Sequence, residues 1–234
     1  MELTNPALQR YKDDGFDKIQ GWCDHQLFQT VDLLSAQQKP SDGGVCEIGV
    51  HHGKFYLLLN SITPKTAKSF AIDLFEDQNL NIDGSGKGDR KIFEENLAAY
   101  DAHNGRNTII IKGDSTDAGL GLANIILPGS LRFLSIDGGH TAEHTINDLE
   151  IANELISNQG VVILDDILNH HWLGVIEGVA KYLERRPTLV PFAIGRNKLY
   201  LAKLSYQRFY FNLINKSPLK VKDVSFFGHG LIAL

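Results

Sequence analysis

Short apolar runs alternate with amphipathic stretches along most of this chain. Val45-Cys46-Glu47-Ile48 is the first such run, and it enters the turn Gly49-Val50-His51-His52-Gly53. Phe55, Leu58 and Leu59 then recur at helical spacing. Apolar runs of four to eight residues bounded by turn formers read as buried strands, and apolar positions three and four apart read as one face of a helix. By these rules residues 69–74, 108–112, 131–136 and 161–164 are strands two to five. Between them, Asp89 caps a helix whose apolar face is Phe93, Leu97 and Tyr100. Thr141 caps one carrying Ile146, Leu149, Ala152, Leu155 and Ile156, expected to stop near Gly160. A third helix, from about 173 to 185, buries Leu173, Ile176, Val179 and Leu183 before Pro187 ends it. Residues 189–194 and 198–202 flank Gly195-Arg196-Asn197, a hairpin signal, so the last strand of the sheet is expected to run antiparallel.

Strand and helix in alternation specify a parallel sheet. The expected fold is α/β, a doubly wound Rossmann-like sheet with helices on both faces. Strand, tight glycine-bearing turn and helix is the geometry by which such a sheet holds a nucleoside-type cofactor. A dinucleotide fingerprint would carry a further glycine where His51 stands. Residues 1 to about 40 read as helical, from Phe16, Ile19, Trp22 and Cys23 and then Leu27, Val31 and Leu34. They form either a cap over the cofactor cleft or ordinary packing helices. Lys39-Pro40-Ser41-Asp42-Gly43-Gly44 breaks the pattern. The glycine-rich stretch 82–88 is a substrate lid or a tolerated surface loop. The tail from Leu204, with Tyr206, Phe209, Tyr210 and Phe211, covers the sheet edge or exchanges with a second subunit.

The composition narrows the function. The chain has 234 residues, 43% of them hydrophobic, enough for one sizeable α/β domain with additions at its ends. A net charge of −5 argues against a general nucleic-acid binder, which would show a basic face. Cys23 and Cys46 make no disulfide framework and fit a reducing compartment. The polar N-terminus is no signal peptide, and no apolar run approaches membrane-spanning length. The expectation is a soluble cytoplasmic protein with no membrane partner.

The candidate chemistry is a set of acids. The strands end in Glu47, Asp73, Asp114, Asp137 and Asp165-Asp166. A single aspartate after a strand means little, since Asp also caps helices and closes turns. Five strands with one ending should line one rim, because doubly wound sheets bind ligands at the carboxyl ends of their strands.

Taken together, Glu47-Ile-Gly-Val-His-His-Gly53, Asp73, Gly113-Asp114-Ser115 and Ile136-Asp137-Gly138-Gly139-His140 resemble a class I S-adenosylmethionine-dependent methyltransferase. The likeness covers about residues 42–203. Gly160 to Asp166 and Trp172 to Val175 are similar to the small-molecule and sugar O-methyltransferase subgroup, several of whose members use a divalent metal. The resemblance implies seven strands with the last antiparallel, in a methyltransferase domain at 41–203, between a helical cap at 1–40 and an extension at 204–234. It implies Glu47 and Gly49 beside the methionine part of the cofactor, with Gly53 a further contact in the same turn. Asp73 would take both ribose hydroxyls, Asp114 and Ser115 would border the adenine, and Asp137 would face the reactive end. Carboxylates suit the sulfonium and ammonium groups of that cofactor.

Strands four and five, as neighbours about 4.8 Å apart, would let Asp137, Asp165 and Asp166 converge on a hard cation such as magnesium (Mg2+). The alternative is that Asp165 or Asp166 caps a turn and Asp137 binds cofactor alone. His140 is the candidate general base, with His171 behind it, and Trp172 lines the acceptor pocket or anchors a helix. The reading is therefore methyl transfer to an oxygen of a small-molecule acceptor, a sugar or phenolic compound, with nitrogen acceptors still open. The aromatic tail is compatible with a homodimer. Two competitors are an NAD-dependent oxidoreductase, which Asp73 would also suit, and a non-catalytic, partner-binding domain of methyltransferase type.

Overall fold

In the computed structural model, β1 (Gly44–Ile48) is buried along its whole length, as a strand flanked by two others and covered on both faces must be. Its neighbours β2 (Ser69–Asp73) and β4 (Leu131–Ile136) both run parallel to it. β3 (Thr108–Lys112) extends the sheet beyond β2, and β5 (Ile156–Leu164) extends it beyond β4, again in parallel. β6 (Leu189–Gly195) and β7 (Lys198–Lys203) form the expected hairpin. Arg196 and Asn197 both have positive φ, 54° and 61°, the requirement of a two-residue turn that matches strand twist. β7 inserts antiparallel between β5 and β6. The structure describes residues 3–39 and 43–234. Part of the expected chain break, at 40–42, lies outside the described residues, as do residues 1–2 of the N-terminal stretch.

Helices cover both faces. On one face α1 (Pro6–Asp14), α2 (Leu27–Ser35), α3 (Lys54–Asn60) and α4 (Arg90–Tyr100) contribute Leu8, Phe28, Val31, Tyr56 and Phe93 to a core with Val45, Ala71, Phe133 and Ile163. On the other, the short α5 (Leu122–Ile125) with α6 (Ala142–Leu155) and α7 (Leu173–Glu184) brings Leu122, Leu149, Ala152, Val175 and Val179 onto Ile48, Ile72, Leu134 and Ile136. Alternate strand residues therefore serve alternate cores. The caps are as expected: Asp89 Oδ1 accepts from Ile92 N at 2.9 Å and Thr141 Oγ1 from His144 N at 3.2 Å.

Three expectations are corrected. Among the described residues the sheet has nine strands rather than seven, in the order β3-β2-β1-β4-β5-β7-β6-β9-β8. The tail forms α8 (Leu204–Asn215), packed on β6, then β8 (Lys222–Phe226) and β9 (His229–Ala233). β9 pairs parallel with β6, and β8 closes antiparallel on β9. Second, α6 stops at Leu155 and β5 starts at once at Ile156. Gly160 is no helix cap; a Cβ there would stand 2.4 Å from Ile156 Cγ1 and 2.8 Å from Leu131 O, so it lies where β5 crowds β4. Third, Trp22 and Cys23 are not helical. The helix ends at Asp14, a short 3-10 turn spans Phe16–Lys18, and the chain then runs irregularly to Gln26. Gly21, at φ 150°, takes a conformation closed to a helix. Among the described residues no helix is long and apolar enough to cross a membrane.

Beneath the sheet, Arg132 binds the layers together. Its guanidinium donates to Gln38 Oε1 (3.0 Å), Ile62 O (2.9 Å) and Ser35 O (3.2 Å) while 5% exposed. Removing it takes the donor from buried Gln38 Oε1 and Ile62 O, each a penalty of about 1 kcal/mol or more, while Ser35 O keeps Gln38 N at 3.1 Å. Arg132→Leu should therefore lose at least about 2 kcal/mol, read as a lower urea midpoint at unchanged slope.

Candidate active site

Because the four central strands run parallel and in register, the residues that follow them form a row. Gly49 N donates to Ile72 O (2.8 Å), Asp137 N to Ile48 O (2.8 Å), Asp165 N to Ile136 O (2.9 Å) and Gly113 N to Asp73 O (3.0 Å). The strand tips thus emerge along one edge, into a cleft of about 720 Å³, within the range of small-molecule sites. Of the residues expected at the site, Glu47, Gly49, Asp73, Asp114, Ser115, Asp137, His140, Asp165 and Asp166 all line it. Gly53 does not. A Cβ there would lie 2.6 Å from the Phe93 ring, so Gly53 seats α3 against α4 instead of meeting a ligand.

The turn after β1 is shaped by close approach. Gly49 has φ 83°, and a Cβ on it would stand 1.8 Å from Asp137 O, so no side chain fits. His51 takes the left-handed conformation (φ 53°) that a fingerprint glycine would supply. This turns its N–H onto Asp73 Oδ2 at 2.7 Å, while Phe75 N donates to Oδ1 at 2.6 Å. Burial raises the Asp73 pKa against these donors, and a carboxylate holding two backbone bonds still has acceptor sites to offer. At the far end Asp114 accepts from Thr116 N and Oγ1, both at 2.8 Å, and faces His144. Burial works against ionisation there, but these donors hold Asp114 below its ordinary pKa. Ser115 is tied through its carbonyl to Asn147 of α6 at 3.1 Å.

Glu47 is the least compensated acid. It is 2% exposed, its Oε2 has no hydrogen-bond partner, and burial, reinforced by Asp137, pushes its pKa well above the carboxylate range. An unpaired carboxylate oxygen in an apolar setting is unfavourable. A cationic ligand beside it would relieve that penalty.

At the reactive end the expected grouping changes partners. Asp165 does not converge with Asp137 and Asp166; it is ion-paired with the buried Lys198, which faces it across the β5–β7 pairing and lies over the Phe55 ring at 4.7 Å. Burial raises Asp165 to about 7 even with the lysine beside it. Asp137, His140 and Asp166 meet instead. His140 Nε2 is 3.0 Å from Asp166 Oδ2 and 3.8 Å from Asp137 Oδ1, and Nδ1 is 2.7 Å from Asp83 Oδ2. Its ring stacks on Trp172, 4.5 Å between centroids. Burial alone would lower the His140 pKa, but Asp137, Asp166 and Asp83 outweigh it and raise it to about 10. With carboxylates on both nitrogens, His140 has no free lone pair for a substrate proton. The geometry therefore argues against the expected general-base role.

Four contributors escaped the sequence. Lys198 stands opposite Asp165 only because the hairpin folds β7 back along β5. Asn197 Nδ2 donates to Asp166 Oδ1 at 2.6 Å. Asp83 lies in the glycine-rich stretch, whose composition hides a specific contact. Trp22, 79% exposed, lines the mouth beside His51. A tryptophan in a segment read as a buried helix gave no such signal.

A doubly wound sheet with an acid-lined crevice at its strand tips defines a nucleoside-cofactor-binding α/β protein. A family model described as a methyltransferase domain matches residues 46–167, just over half of the chain, and the chain belongs to this S-adenosylmethionine-dependent class I methyltransferase family. No curated protein sequence matches it. Its fold is similar to that of the O-methyltransferase NovP (TM-score 0.57, 19% identity, covering 76% of this chain and 78% of that one). It is also similar to CalS11, a TDP-rhamnose 3'-O-methyltransferase of calicheamicin biosynthesis (0.53, 16%, 77% and 81%), and to an O-methyltransferase from Bacillus cereus in complex with S-adenosylhomocysteine (0.55, 13%, 84% and 90%). The family assignment sets aside the nicotinamide reading. The residues present fit the cofactor, since the unpaired Glu47 oxygen answers its positive charge and Asp73 its diol.

This makes cofactor binding pH-dependent. A bound cation favours ionised Glu47, whose pKa in the free protein is raised, so binding should release a proton. Affinity for S-adenosylmethionine should rise with pH until Glu47 is ionised in the free protein, then level off. Calorimetry in two buffers of different ionisation enthalpy counts the proton, and Glu47→Gln should abolish its release.

Proposed function

We propose that this chain transfers the methyl group of S-adenosylmethionine to a hydroxyl oxygen of a small-molecule acceptor, a sugar or phenolic compound, with a divalent cation assisting. The observation that carries the reading is the close approach of Asp137 and Asp166 beside an opening walled by Trp22, Ile82 and Trp172. The names of the similar solved structures support oxygen as the acceptor atom.

Within this reading Glu47 and Gly49 border the methionine part, Asp73 holds the ribose, and Asp114 and Ser115 border the adenine. The cofactor supplies an electrophilic methyl group on a sulfonium. The new bond joins acceptor oxygen to methyl carbon, the carbon–sulfur bond breaks, and the electron pair stays on sulfur. Asp137, with Oδ1 3.8 Å from His140 Nε2, takes the proton released by the acceptor. A divalent cation held by Asp137 and Asp166 would lower the hydroxyl pKa. Alignment of donor and acceptor supplies much of the rate.

The electrostatics favour an acceptor without phosphate. The cations lining the cleft are engaged: Lys198 by Asp165, Arg196 by Asp24 at 3.9 Å, and Lys54 by Ile19 O at 3.2 Å. The N-terminal stretch 1–40 serves as a cap on the acceptor side, since Gln20 to Asp24 line the cleft. Free thiols at Cys23 and Cys46 support a reducing, cytoplasmic setting.

A panel of sugars and phenols incubated with S-adenosylmethionine should yield a methyl ether and S-adenosylhomocysteine. Methylation confined to amines would overturn the proposal. Asp137→Asn should lower kcat by roughly 10² or more. Trp22→Ala should raise the acceptor KM several-fold and leave the thermal shift produced by S-adenosylhomocysteine intact.

A further inference from the structure

We infer that the acceptor is a phenol, held with its aromatic ring in the apolar mouth of the cleft and its hydroxyl edge at Asp137, and that a sugar ring is a poor fit. This deepens the proposed function by choosing between its two acceptor classes, and it rests on the oxygen acceptor proposed there.

The first argument is where apolar surface stays uncovered. Trp22, Leu80 and Ile82 all line the cleft, yet all three are exposed. They come from separate segments, the irregular run after Phe16–Lys18 and the stretch ahead of α4, and Trp172 joins them from the turn before α7. Single exposed apolar side chains are ordinary, but several gathered at one opening mark a binding surface. The two indoles set its character. Trp22 meets His51 in a tilted contact, 5.7 Å between centroids, and Trp172 lays one face on His140. An aromatic ring packed beside such rings gains about two- to tenfold in affinity beyond the area it buries.

The second argument is that the polar side chains of the cleft are spent on the protein. Asn169 Nδ2 donates to Asp166 Oδ1 at 2.9 Å while its Oδ1 accepts from His171 N at 3.0 Å. Asn197 does the same between Asp166 Oδ1 at 2.6 Å and Leu168 N at 2.9 Å. In the stretch ahead of α4, Gln78 Oε1 accepts from Asn81 Nδ2 at 2.9 Å, and Asn81 Oδ1 accepts from Gly84 N at 3.1 Å. Gln78 Nε2 donates to Phe75 O at 2.5 Å, and Ser85 Oγ donates to Asp83 Oδ1 at 2.6 Å. The remaining amide of the cleft lining, Gln20, is exposed at the rim. A sugar ring carries hydroxyls on several sides and needs a partner for each. Every hydroxyl taken into the cleft without one weakens binding about tenfold.

The third argument is where capacity remains. Asp137 Oδ1 stands 3.8 Å from His140 Nε2, beyond hydrogen-bond distance, so it can still accept from a hydroxyl. The cleft thus satisfies polar groups at one end and offers flat apolar walls at the other. A phenol is polar at one edge and apolar over the rest of its ring. A site built this way rewards that shape and has little to return for further hydroxyls.

Both tryptophans of the chain line the cleft, so intrinsic fluorescence reads acceptor binding directly. The full chain, saturated with S-adenosylhomocysteine, is titrated with simple phenols, with cyclohexanols of the same hydroxyl pattern and with methyl glycosides. Binding is compared instead of turnover, because a phenol is more acidic than an alcohol and would react faster however it was held. Phenols should bind about five- to tenfold more tightly than their cyclohexanol counterparts, and the glycosides should be weaker still. Trp22→Ala should weaken the phenols about fivefold, with Trp172 still reporting, and change the glycosides less than about twofold. Trp22→Phe should restore most of that loss. A purely structural Trp22 would weaken all three classes alike, and the thermal shift given by S-adenosylhomocysteine checks that each variant is folded. Glycosides that bind as tightly as phenols would overturn the phenolic assignment and leave oxygen methylation standing. So would the absence of saturable binding by any phenol. Methylation confined to amines would remove the proposed function as well.

Discussion

The structure depends on crowding negative charge at one edge of a parallel sheet and paying for it locally. Register forces the acids together: each strand-tip N–H bonds to the carbonyl of the strand beside it, so the side chains after β2, β4 and β5 cannot disperse. Like charges so close would destabilise the fold, and each receives its own counterweight. Asp73 has two backbone N–H groups, Asp114 has Thr116, Asp137 has His140 at 3.8 Å, Asp165 has Lys198, and Asp166 has two asparagine amides. Glu47 is the exception, with one oxygen unpaired and buried. The compensation therefore runs out beside the turn where the methionine end of the cofactor is expected. A donor with a fixed positive charge suits such a gap, because the field there is prepared before it arrives.

His140 shows how strongly the neighbours decide what a residue can do. Read from the sequence, a histidine three residues after a strand-tip aspartate is a base, since imidazole titrates near neutrality. In the fold it meets a carboxylate at each nitrogen and a tryptophan on its face. Such a ring is held still and already carries the proton it would have to take from a substrate. Those are the conditions of an ion-pair hub. The residue type was visible in the sequence, but its role depended on Asp83, 57 positions away.

The same contrast separates what was legible from what was not. β1 to β4 and the second half of β5, residues 161–164, were readable because each is a continuous apolar run closed by a turn former, and the acid after each followed from that boundary; the polar start of β5 at Ile156 was not. The I′-type hairpin was readable from Gly195-Arg196-Asn197. The pair Lys198–Asp165 was not, since it exists only through antiparallel register between strands 33 positions apart. β8 was hidden because Lys222, Asp223 and Ser225 break its apolar pattern, as suits an exposed edge. The stretch 82–88 read as flexible from its glycines. Its order comes from side chains that bond the backbone, with Asn81 Nδ2 on Ser85 O at 2.6 Å and Asp83 on Ser85 N, and such bonds leave no periodic trace.

The two added strands matter for the site as well as for the edge. β9 lies along β6, with Ala193 opposite Ile232 and Ile194 opposite Ala233. Leu234 N donates to Ile194 O at 2.9 Å, and Gly195 packs so closely that a Cβ there would stand 2.7 Å from Leu234. The C-terminus thus clamps the β6–β7 hairpin at the base of its turn. That turn carries Asn197 and Lys198, which hold Asp166 and Asp165 in their separate orientations. A loose hairpin would let Lys198 drift from Asp165, and the freed carboxylate would compete for whatever Asp137 and Asp166 hold. The tail that looked like an appendage in the sequence is, by this chain of contacts, part of what keeps the two adjacent aspartates in different roles.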